Sequence, residues 1–125
     1  MSRIQSYRDL DAWKTGMDLV VAVYSVSARL PDSERFDLRR QIARAAVSIP
    51  ANVAEGQGNG PGKRYLNHVR IAQGSLAELE THLEICVRLK FLTTADVGQL
   101  HEKLVRTGQL LHGLARSLRS RGDED

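Results

Sequence analysis

Residues Arg44–Gly56 read RAAVSIPANVAEG, a run of small apolar residues at helical spacing with Pro50 inside it. At about 100° per residue, Arg44, Ser48, Asn52 and Glu55 fall within roughly an 80° arc, with Asp37 and Gln41 on the same side. Leu38, Ile42, Ile49 and Val53 make one large apolar face. Ala43, Val47, Pro50 and Ala54 make a second, built mostly of small residues. Proline removes one backbone donor and displaces the carbonyl four residues earlier, here that of Ala46. The apolar spacing continues through Val53, so the expectation is a kinked helix, with Ser48 bonding a freed carbonyl. Glu55 falls near the C-terminal end, where the helix dipole disfavours an anion, and it should draw a cation from Lys63, Arg64 or Arg70.

A helix in a bundle needs one apolar stripe, and this one has two. The second must be covered, either by another copy of the chain or by close packing of alanines against a neighbouring helix. A homo-oligomer interface is the economical reading.

The rest of the chain repeats the helical period. Leu10, Trp13, Met17, Val20 and Tyr24 predict a first helix over about 10–29, with Asp9 as its N-cap. LPDSERF, broken at Pro31, separates it from the second helix, about 36–56. The glycine-rich GQGNGPGK is a loop too short to link domains. Tyr65, Val69, Ala72, Leu76, Leu79, Leu83 and Cys86 form the seam of a third helix, about 63–90. Within it Gly74 costs roughly 1 kcal/mol relative to alanine, which predicts close approach of another helix there, helped by the small Ser75. Thr93 and Asp96 resemble a capping box opening a fourth helix, about 94–120, with Val97, Leu100, Leu104, Leu111, Leu114 and Leu118 inward and fraying after Ser120. No segment alternates with the period of a strand. Short loops between successive helices predict antiparallel neighbours: an all-α, up-down-up-down four-helix bundle forming one domain over 1–125.

A chain of 125 residues buries roughly two-thirds of its unfolded surface, so it needs no disulfide or metal staple. One cysteine excludes an intrachain disulfide and suits a reducing compartment. MSRIQSYRDLDAW has no apolar signal core, and no apolar run approaches the roughly 20 residues of a membrane span, so a cytoplasmic protein is expected. The net charge of +3 is mild, but Arg35, Arg39, Arg40, Arg44, Lys63 and Arg64 face only Asp37 and Glu55 between positions 35 and 64. Arg116, Arg119 and Arg121 form a second basic group before the acidic end DED. Such clusters read as a solvated surface or as a phosphate-binding face.

QIARAAVSIPANVAEG from Gln41 and IAQGSLAELETHL from Ile71 together resemble the family of 23S ribosomal RNA intervening-sequence proteins. That family's pattern is Arg-Ala, Ser-Ile-Pro, Asn and Ala-Glu-Gly, then Ala-x-Gly-Ser-Leu-x-Glu-Leu. The similarity extends from YRDLDAW to the fourth helix, and the family is similar in turn to the accessory protein of diversity-generating retroelements. The resemblance implies toroidal homopentamers of four-helix bundles and, for the accessory protein, binding of RNA and a reverse transcriptase. This chain departs from the pattern at GNGPGKRYLNHV, where Arg64 takes an acidic place, Tyr65 the first aromatic place and His68 the second.

Signatures of catalysis and metal binding are missing. HEKLV from His101 has Val105 where a zinc-protease helix needs its second histidine. No Glu-x-x-His pair of a di-iron bundle occurs, and the middle of the first helix offers only Asp18. His68, His82, His101 and His112 read as surface or boundary residues, and Cys86 as a buried thiol. Ser48 has no histidine at helical spacing to activate it. Glu84–Arg88 and Glu102–Arg106 are spaced as helix-surface ion pairs. The expectation is a non-enzymatic oligomeric module without a cofactor or metal. It binds nucleic acid, RNA or DNA, through Arg35, Arg39, Arg40, Lys63 and Arg64, or else serves as a protein-interaction adaptor. Arg44, Ser48, Pro50, Asn52, Glu55, Gly56, Gly74 and Ser75 are assigned structural or interfacial roles.

Overall fold

The computed structural model describes residues 4–124, with side chains described through Ser120. The regular elements among them are all helical: α1 Asp11–Ser27, α2 Leu38–Gly58, α3 Lys63–Arg88, α4 Thr94–Gly98 and α5 His101–Glu124, with short 3-10 turns at Tyr7–Asp9 and Asp32–Glu34. The four long helices close a cycle: α2 packs on α1 and α3, and α5 packs on α1 and α3. Leu19, Ile42, Ile49, Val53, Val69, Leu79, Leu100 and Leu111 meet at the centre, fully shielded from solvent.

The α3 seam is the one expected, with every residue from Tyr65 to Cys86 of the predicted set buried. The α1 seam is not. Ala12, Gly16, Leu19, Val23 and Val26 face the core, one position away from the predicted stripe, while Met17 and Tyr24 are exposed. The cause is the approach of α2: the Pro50 ring comes within 3.4 Å of where a Cβ on Gly16 would stand. The small residues of α1 are therefore core residues, and the larger ones flank the contact.

Asp9 does not cap α1. Its carboxylate accepts the N–H groups of Gln5 and Ser6, at 2.9 and 3.1 Å, closing a capping box on the preceding turn, and those bonds hold it below the ordinary Asp range. The Thr93–Asp96 capping box does form, with Thr93 N–H to Asp96 Oδ2 at 2.9 Å and Asp96 N–H to Thr93 Oγ1 at 3.0 Å. It opens only the short α4, because the chain breaks helix after Gly98 and restarts at His101. The Thr93 N–H, then Arg29 from the end of α1, lower the Asp96 carboxyl, and Arg29 pairs with it. Instead of fraying after Ser120, α5 continues to Glu124, and the Arg121 side chain and Asp125 lie outside the described residues. The third helix stops at Arg88, not Lys90, because Lys90 turns the chain with φ of 64°.

Candidate functional site

Helix α2 runs unbroken through Pro50 and carries different chemistry on its two flanks. Facing α3 is a chain of hydrogen bonds. Asn52 Nδ2 donates to the Ser48 carbonyl and to Ser48 Oγ, both at 2.9 Å, and the Ser48 and Ser75 hydroxyls meet at 2.8 Å. His68 Nδ1 lies 3.0 Å from Asn52 Oδ1. Since the amide nitrogen is committed to Ser48, Oδ1 accepts and His68 Nδ1 carries the hydrogen. Ser48 therefore bonds across to α3 and not to the freed carbonyl of Ala46. The structure brings Ser48, Asn52 and Ser75 of the quoted motifs together and adds His68, which the sequence reading treats as a surface or boundary residue. The missed signal is its place three residues after Tyr65, on the flank of α3 that meets α2.

The same seam contains the tightest approach to any described glycine. A Cβ on Gly56 would stand 2.8 Å from His68 Cβ and 3.0 Å from Tyr65 Cδ1. Close contact thus occurs at Gly56, whereas Gly74, where it was expected, has no atom within 4 Å of a Cβ position. Tyr65 and His68 pack inward against α2. The positions of the family's aromatic residues are here part of the seam.

The charged ends of the motif are different from its centre. Arg44 and Glu55 are exposed, and the ion pairs among the described residues are Arg29–Asp96, His82–Glu78 at 3.2 Å and Arg88–Glu84 at 3.2 Å. Glu55 does not gain the expected cation, and Glu102 does not pair with Arg106.

The flank of α2 toward α1 is apolar. Pro50 is buried there beneath Gly16, and Ala43 and Ala54 are half-buried. Val47 remains 43% exposed, and on α1 Met17, Val21 and Tyr24 are 41, 72 and 52% exposed. Packing within the protomer covers part of this second apolar face, where α1 meets Pro50, and Val47 at its outer edge stays in solvent.

The predicted basic residues separate into groups. Arg39 is half-buried and donates to the Leu30 carbonyl at 2.8 Å, pinning the turn before α2. Arg40 and Arg44 line a groove of about 580 Å³ between α2 and α3, with Phe36, Gln41, Ala45, Ser48, Ser75 and Glu78. Arg35 places its guanidinium 5.5 Å from the centre of the Phe36 ring. Lys63 and Arg64 are exposed just beyond the far end of α2, whose 21 residues span about 30 Å. The loop leading to them turns through Gly60 and Gly62, at φ of 78° and 126°, where a side chain would be strained.

Cys86 is buried, and burial pushes its thiol above the ordinary range, the opposite of what a nucleophile needs. No group of three His, Cys, Asp or Glu residues among those described is placed to hold a metal. No described helix is long and apolar enough to cross a membrane.

Comparison with known proteins gives the lineage. A crystallised Bacteroides thetaiotaomicron protein of unknown function, from the S23 ribosomal protein family, superposes with a TM-score of 0.75. It is 21% identical over 83% of this chain and 97% of its own, which is a likeness of fold. No curated protein matches the chain. Residues 8–113 match the family description, a span that includes both quoted motifs and all the residues of the α2–α3 seam. The chain belongs to the 23S rRNA-intervening sequence protein family.

Proposed function

We propose that the protein is a non-enzymatic, cytoplasmic, homo-oligomeric module that binds nucleic acid. The observation carrying this reading is the group Arg35, Arg40 and Arg44, exposed around the start of α2 and outside every ion pair among the described residues. Guanidinium groups outside ion pairs, clustered around the start of a helix, suit phosphates. The family's association with 23S rRNA makes RNA the first ligand to test. The subunit is proposed as an antiparallel, up-down-up-down four-helix bundle. In its support, position 56 of α2 meets 65 and 68 of α3, 52 meets 68, and 48 meets 75, one number falling as the other rises.

Assembly rests on the open apolar edge formed by Met17, Val21, Tyr24 and Val47. A second copy of the chain would cover it, with five subunits as the number the family resemblance implies. A ring would also repeat each basic group around its axis and raise avidity. The accessory protein of diversity-generating retroelements, similar to this family, is the precedent for RNA binding by such a ring.

Mobility shift against structured RNA and duplex DNA, across a salt series, tests the ligand. Phosphate binding weakens steeply between low and moderate salt. No shift at low salt would overturn nucleic-acid binding. It would leave the adaptor reading, which the same apolar edge supports and which predicts a salt-insensitive protein contact. Light scattering tests assembly, and a mass of one protomer at micromolar concentration would exclude it.

A further inference from the structure

We infer that the α2–α3 groove is a single-strand site, in which Phe36 stacks a base and Arg40 and Arg44 hold the neighbouring phosphates. This rests on the nucleic-acid reading and deepens it to one place and one kind of strand. Phe36 is 74% exposed, the most exposed of the large apolar side chains among the described residues. It does not belong to the open apolar edge, which lies on the α1 side of α2, but lines the groove on the α3 side together with both arginines. A ring standing in water beside Arg35, at 5.5 Å, presents a flat surface with a cation against it, the combination that receives an unpaired base. On the opposite wall Glu78 keeps phosphate away from α3 and is itself drawn toward His82 at 3.2 Å. The strand's backbone is thereby directed along α2, past Arg40 and Arg44. Bases inside a duplex are stacked on one another and cannot reach Phe36, so the groove discriminates by strandedness.

The test uses the full chain and a fluorescein-labelled single-stranded RNA of about 12 nucleotides, within the usual span of single-strand sites. The same sequence as a duplex is the control. Anisotropy should show Phe36→Ala weakening single-strand binding about tenfold, with the aromatic Phe36→Trp retaining it. Duplex binding should be unchanged in both variants. A double Arg40→Gln, Arg44→Gln variant should shallow the log-log salt slope for the single strand by about 1.4. If the unmodified protein binds but Phe36→Ala leaves single-strand affinity unchanged, the groove is not the site, while the broader reading stands. If the unmodified protein binds no nucleic acid, both fall. If Phe36→Ala instead lowers the scattering mass, Phe36 belongs to a contact between copies and the stacking role is overturned.

Discussion

The two flanks of α2 solve the problem of helix contact differently. Toward α3 the contact carries a polar network: Ser48, Asn52, His68 and Ser75 bond one another, and Gly56 lets the backbones meet. Toward α1 it is apolar and only half closed, with Pro50 against Gly16 and Val47 left in solvent. Hydrogen bonds between side chains are directional and satisfied in pairs, so this network finds its partners within one protomer. Apolar contact is not directional, and its uncovered edge can be completed by another surface.

The largest effect should come from Gly56, with Gly16 as its counterpart on the other flank. Gly56→Ala pushes a methyl to 2.8 Å from His68 Cβ, an atom tied to the backbone, and should cost about 2 kcal/mol. Gly16→Ala meets Pro50 at an ordinary 3.4 Å and gains helix propensity, so it should stay within about 1 kcal/mol of the unmodified protein. Chemical denaturation compares them directly, and equal losses would erase the distinction between the flanks.

Asn52→Leu comes next. It leaves the His68 Nδ1–H without an acceptor and removes the donor to Ser48, at a cost of about 1–3 kcal/mol. A melting temperature no lower than that of the unmodified chain would show that the network orders the seam without stabilising it.

Gly74 offers an effect of opposite sign. With open space around its Cβ position, Gly74→Ala should add about 1 kcal/mol to protomer stability. A loss would mean that this face of α3 is approached by another copy.

Val47→Glu should have the smallest effect on stability, within about 0.5 kcal/mol, because the side chain is already 43% exposed. Its effect should appear in light scattering instead, as a fall in mass. An unchanged mass would move the interface away from the α1 side of α2.

Much of this was legible along the chain because helix periodicity is a local signal. The inward seam from Tyr65 to Cys86 and the passage of α2 through Pro50 both follow from spacing alone. The candidate basic residues were legible as a group, but not their sorting. Arg39 is set apart by a carbonyl nine positions earlier, and no composition count distinguishes it from Arg40. Thr107, fully buried between Leu104 and Leu111, escaped notice because a polar residue does not score in an apolar stripe.

The sequence by itself determined that the chain is helical, roughly where its long helices lie, and which family it joins, since these depend on periodicity, turn residues and two contiguous motifs. Only the tertiary structure decided which stripe of α1 faces inward, that the close approach is at Gly56 and not Gly74, and that Phe36 shares a groove with Arg40 and Arg44. These are distances between helices. They depend on how much volume each facing residue leaves for the other, and a glycine shows its use only when the partner that would strike its missing side chain is in place.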